Sequence, residues 1–201
     1  MSAFAPHQPA IDALCRLLGV ASVTDMARAV GAAPPTQWPG MIRVLIEAYG
    51  CTPDMAAIEN LAAFAFGPVV SELVGADPPH PSCERVAAIM NRYAASNSCC
   101  GVAELVFGGT PYRVRLTVGA AVRMGDVVGA KNITDLIDRV ASPNPQAMAD
   151  ITAALLAGNG HDVPPHRITG PSGIRLADYV TIITALFDVG DRACAAAAPP
   201  H

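Results

Sequence analysis

Apolar side chains recur three and four residues apart over most of the chain, and proline and glycine cut this pattern into short helices. Pro9 opens a helix carrying Ile11, Leu14, Leu17 and Leu18 on one face, and Gly19 stops it. Ser22 caps a second helix, with Asp25 three residues on as in a capping box, and Gly31 ends it. Residues 33–40 place Pro34, Pro35 and Pro39 around the only tryptophan, Trp38, and predict a rigid connection. A third helix is expected from Met41 to Tyr49, closed by Gly50. Thr52, Pro53 and Asp54 start a fourth, which should bury Met55, Ile58, Leu61, Phe64 and Phe66 before Gly67. A short helix after Pro68 reaches Gly75.

Asp77 to Pro81 holds three prolines and reads as an internal boundary. It would separate an N-terminal helical part, residues 1–75, from a second part, residues 82–190, unless both belong to a single domain. Residues 191–201 read as a disordered Ala/Pro tail. Ser82 caps a helix bearing Val86, Ile89, Met90 and Tyr93. Residues 102–107 and 111–118 then read as strands joined by Gly108, Gly109 and Thr110. The second strand alternates, with Tyr112, Val114, Leu116 and Val118 on one face and Arg113, Arg115 and Thr117 on the other.

Gly119 to Asn132 is glycine-spaced and undecided between helix and loop. Helices follow around Ile133, Leu136, Ile137 and Val140, and from Asn144–Pro145 through Met148, Ile151 and Leu155 to Gly158. Residues 158–173 read as an exposed loop, with Ser172 as the cap of a last helix over 174–188. The Val, Ile and Thr of that helix also suit a strand. No internal repeat is visible. The fold class is mainly α: a helical bundle with one central β-hairpin at about residues 102–118.

Composition sharpens this picture in one respect. Of the 201 residues 52% are hydrophobic, only 15% are charged and 5% are aromatic. Much of the apolar share is alanine, which packs helices closely but buries little area per residue. Such a chain needs many tight helix contacts or burial against neighbouring subunits, so a homo-oligomer is expected. The net charge of −4 opposes a generally basic nucleic-acid binder, though not local phosphate contact. No run reaches the roughly twenty apolar residues of a membrane span, and Met1 to Ala10 lacks a secretory signal. Six cysteines are too sparse for a disulfide scaffold and read as small buried hydrophobes in a reducing, cytoplasmic setting, or in a virion for a coat protein.

Motif by motif, catalytic chemistry finds no support. Val23 to Ala32 resembles the first helix and turn of repressor-type DNA-binding domains, but the place of the reading helix falls on Pro34, Pro35, Thr36, Gln37, Trp38 and Pro39. Arg28 and Arg43 are the only basic residues nearby. His80 and Cys83 have a zinc-ligand spacing, yet Cys99 and Cys100 are adjacent and set off by a helix, so no metal site is assigned. His161 and His166 flank Pro164 and Pro165 as solvated loop residues. Gly125 to Lys131 imitates a phosphate-binding loop but lacks its spacing and its hydroxyl residue. No nucleophile elbow occurs, and no cofactor is called for.

What remains is a basic group: Arg113, Arg115, Arg123, Lys131 and Arg139. Two of its arginines share a strand face and could follow an RNA or DNA phosphate backbone, or pair with acids instead. The expectation is a non-enzymatic, self-associating structural protein, with a virus-like coat or nucleocapsid subunit as its concrete form. The alternatives are a helical interaction or DNA-associated regulatory module, and a small enzyme with a pocket between helical parts.

Overall fold

The computed structural model describes residues 7–75, 82–97, 101–169 and 173–187. The expected boundary segment at Asp77–Pro81, the cap at Ser172 and the 191–201 tail lie outside the described residues.

The chain starts with α1 (Gln8–Leu18) and α2 (Val23–Ala32), then a 3-10 turn at Pro35–Gln37 that runs into α3 (Trp38–Ala48). Next come α4 (Met55–Glu59), a 3-10 turn at Ala63–Ala65, α5 (Phe66–Gly75) and α6 (Cys83–Arg92). The hairpin β1 (Val102–Phe107) and β2 (Thr110–Arg115) leads into α7 (Val118–Val128), α8 (Ile133–Ala141) and α9 (Pro145–Ala157), with α10 (Pro165–Ile168) and α11 (Leu176–Phe187) last. The mainly helical class with one central hairpin is as expected from the sequence.

Local chemistry sets these limits. Ser22 and Asn132 each accept a bond from the N–H three residues on, at Asp25 and Asp135, and start α2 and α8. Thr117 does the same for α7 through Ala120, so β2 ends at Arg115, short of the expected 118. Gly108 and Gly109 both have positive φ, 56° and 75°, as a two-residue type I′ turn requires. The register pairs Glu104 with Arg113 and Leu105 with Tyr112, and Leu105, Val114 and Leu116 are buried.

Two expectations are corrected, and one open segment is decided. The helix read from Thr52 to Gly67 is broken, because the backbone at Asn60–Ala63 is drawn into other bonds. Ala62 N–H donates to the Tyr93 carbonyl at 3.0 Å and Ala63 N–H to Leu116 at 2.9 Å. Val118 and Ala95 N–H groups in turn donate to the Leu61 and Asn60 carbonyls, both at 2.8 Å. The undecided segment after Gly119 is α7, whose glycines permit close approach. The expected loop 158–173 contains α10, with Val163 and Ile168 buried.

A further correction concerns repetition. The first residues of α1 and α7, Gln8 and Val118, stand 110 positions apart (118 − 8). The same interval separates Val23 from Ile133, Pro35 from Pro145, Met55 from Pro165 and Phe66 from Leu176. Gly19 and Gly129 end α1 and α7 in the same left-handed conformation, with φ of 66° and 64°. Core positions agree at this interval: Ala10 with Ala120, Leu14 with Met124, Met26 with Leu136, Leu45 with Leu155 and Ile58 with Ile168 are all buried. The helix order and spacing of α1–α5 thus recur in α7–α11, with α6 and the hairpin between the two units. One apolar core runs through both.

Candidate functional site

The basic group does not form one row. Arg113 is exposed and lies opposite Glu104 in the hairpin register, so its charge has an acid across the strand pair. Arg115 is half-buried, and its guanidinium donates to the Ala95 carbonyl at 2.5 Å. Its backbone is gripped by the Asn159 side chain, which accepts from Arg115 N–H at 2.8 Å and donates to Arg115 C=O at 3.1 Å. Asn159 thus stands in for a third strand at the edge of β2, a role that no sequence pattern announces. Arg139 pairs with Asp135 at 2.7 Å and donates to the Val128 carbonyl at 3.1 Å, closing the C-terminal end of α7. With the Lys131 backbone N–H and the Arg139 guanidinium as donors, the Asp135 carboxyl is held below the usual carboxylate range. Arg123 on α7 and Lys131 at the α7–α8 turn have exposed side chains. Arg115 and Arg139 are therefore bonded into the fold, Arg139 while still exposed, and Arg113, Arg123 and Lys131 face solvent from three separate elements.

The cysteine reading is also corrected. Cys51 and Cys83 form a disulfide, with a Cα–Cα distance of 5.5 Å, that ties the end of α3 to the start of α6. Cys83 is not available as a thiolate ligand, and His80, Cys99 and Cys100 lie outside the described residues. Among the described residues no group of three or more His, Cys, Asp or Glu side chains could hold a metal ion. Cys15 is free and half-buried on α1.

Beside the disulfide lies a cavity of about 480 Å³, walled by Ile46, Val86 and Met90, with Asp54, Asn60 and Asn91 at its polar end. Asp54 is already engaged in capping α4 through the N–H groups of Ala56 and Ala57, at 2.9 and 3.2 Å. No general acid–base pair or activated nucleophile is assembled by the residues on this wall.

The two histidines expected in a solvated loop part company. His161 is half-buried, its ring edge-on to Tyr112 at 5.3 Å, whereas His166 is exposed on α10. His7 is buried, edge-on to Tyr49 at 4.2 Å, its Nε2 has no hydrogen-bond partner among the described residues, and burial lowers its pKa from 6.5. The segment resembling a repressor helix is α2, and the turn behind it runs straight into α3, where Trp38 is buried and stacked on Phe66 at 4.6 Å. Arg28 pairs with Asp25 at 2.8 Å and Arg43 lies 3.8 Å from Glu47, both on exposed helix faces. Gly125 to Lys131, the imitation phosphate loop, is the last turn of α7 and its glycine cap.

Among the described residues no helix is long and apolar enough to cross a membrane. Comparison of the chain with family models, with curated proteins and with solved structures finds no match.

Proposed function

We propose that the protein is a non-enzymatic structural subunit that self-associates through its helical faces, with a virus-like coat or nucleocapsid subunit as the concrete form. The observation that carries this reading is a bare apolar strip on α11. Leu176 and Val180, one turn apart, are 62% and 47% exposed, while their counterparts in the first unit, Phe66 and Val70, are buried at 7% and 6%. Leu17 on α1 is also 47% exposed. Scattered single apolar residues on a surface are ordinary, but a strip whose counterpart is buried calls for a cover. The low share of charged residues works in the same direction.

Nucleic-acid contact enters this proposal through Arg113, Arg123 and Lys131, since Arg139, though exposed, pairs with Asp135. Three scattered cations in a chain of net charge −4 hold phosphate only when many copies present them side by side. Assembly therefore comes first and nucleic acid second.

The test is purification at high and at low salt, with molar mass from light scattering and the absorbance ratio at each. The expected result is an assembly larger than one chain, with nucleic acid retained at low salt. A monodisperse monomer free of nucleic acid at both salts overturns the proposal.

A further inference from the structure

Helix α6 belongs to neither unit and is held at both ends. Its first residue, Cys83, is bonded to Cys51 behind α3. At its other end the Tyr93 carbonyl accepts from Ala62 N–H at 3.0 Å, and Ala95 N–H donates to the Asn60 carbonyl at 2.8 Å. One side of α6 packs on α5, where Arg92 donates to both oxygens of Glu72 at 3.0 and 2.9 Å. Between its two anchors the opposite side stands off α3 and α4. A helix pinned in this way does not sink to close the gap, and the cavity of about 480 Å³ beside the disulfide is the space it leaves.

The walls of that space are divided by chemistry. Val86 and Met90, one turn apart on α6, are buried and line it together with Ile46 of α3. Thr52, Asp54 and Asn60 also line it and are exposed, so they stand at its mouth. Asp54 is the only charged side chain among the described residues that line the cavity. Both of its bonds to the start of α4 fall on Oδ1, which leaves Oδ2 without a partner among the described residues. An apolar chamber of this volume with a few polar groups at one end is the usual form of a small-molecule site.

We propose that this cavity binds a small cationic amphiphile, an alkyl or arylalkyl amine. Its apolar body lies against Ile46, Val86 and Met90, and its ammonium group pairs with Asp54. An ammonium carries three donors; the Asn60 carbonyl and the Thr52 hydroxyl supply acceptors beside the carboxylate. An anionic head group would meet Asp54 with like charge, and a neutral one would leave it unused. The covalent tether at Cys83 fixes the wall before the ligand arrives, which lowers the ordering cost of binding. The site binds and does not transform its ligand, and it does not depend on self-association.

The experiment titrates octylamine and octanoate, which share an apolar tail and differ in the sign of the head group, into the oxidised native chain. The methyl resonances of Val86 and Met90 are followed. Saturable shifts are expected at both residues, with octylamine bound about threefold tighter than octanoate, as for an exposed ion pair. Asp54→Asn keeps the cap on α4, because asparagine caps as well as aspartate does. It is expected to abolish the preference for the amine while the shifts at Val86 and Met90 remain. A preference due only to the net charge of −4 would survive this change and overturn the inference. Ala87 lines the same cavity and is exposed, so Ala87→Phe fills the space without entering the core. This variant is expected to lose saturable binding of both probes. Circular dichroism melting establishes that both variants fold, and Asp54→Asn alone decides if Ala87→Phe does not. Native Val86 and Met90 resonances that do not shift, equal binding of the two probes, or unchanged binding to folded Ala87→Phe also overturns the inference.

Discussion

Gly158 lies directly against Ala120: a Cβ built at Gly158 would stand 2.5 Å from the Ala120 Cα and 2.8 Å from its Cβ. The φ of Gly158 is −65°, so any L-residue could adopt its backbone, and the requirement is purely one of space. Here α7 and α9 touch backbone to backbone, which brings Thr117 Oγ within 3.4 Å of the Gly158 carbonyl. Gly158→Ala is expected to destabilise the protein by about 1–3 kcal/mol through overpacking, while the counterpart position, Ala48, already carries a methyl group between α1 and α3. Urea unfolding of the variant checks this, and an unchanged midpoint would contradict the close contact.

The Cys51–Cys83 disulfide closes a loop across 32 residues of chain. In the chain-entropy picture a loop of that size is worth about 3–4 kcal/mol. Adding a reductant, or replacing both cysteines with serine, is expected to lower the melting temperature and to loosen α6 first, since the bond anchors its N-terminal turn. Hydrogen exchange at Val86 to Met90 with and without reductant reads out the second effect.

His7 gives the fold a pH dependence with a definite sign. Burial lowers its pKa below 6.5, so the unfolded chain takes up a proton on this ring at a pH where the folded chain does not. Stability contributed by the neutral ring is full above the unfolded pKa and falls as pH drops below 6.5. His7→Phe keeps an aromatic edge against Tyr49 and removes the titration. Its melting temperature is expected to fall less than the native one between pH 7 and pH 5, and parallel curves would exclude His7 as the source.

Element positions were largely readable because caps and breakers act locally. Ser22, Ser82, Asn132 and Asn144 each bond the N–H that their place in the sequence implies. The break after α4 was not readable, since it depends on Tyr93 and Leu116, which are distant in sequence. The recurrence was hidden for another reason. A core asks for apolarity at a position and lets neighbours make up the volume, so Leu14 stands against Met124 and Met26 against Leu136, and burial is kept there without identity. The glycines of α7 looked like flexibility when they mark where another element presses. The basic group was legible as charge, but the bonds that commit Arg115 to Ala95 and Arg139 to Val128 appear only once the chain is folded.

The short extended stretch at Asn60–Ala63 has a mechanical consequence. Its four backbone bonds reach the end of α6, the strand exit at Leu116 and the first turn of α7. Force or thermal strain entering either half is passed through this stitched joint to the other. The two units are therefore expected to unfold together, since melting either one strips backbone bonds from this joint.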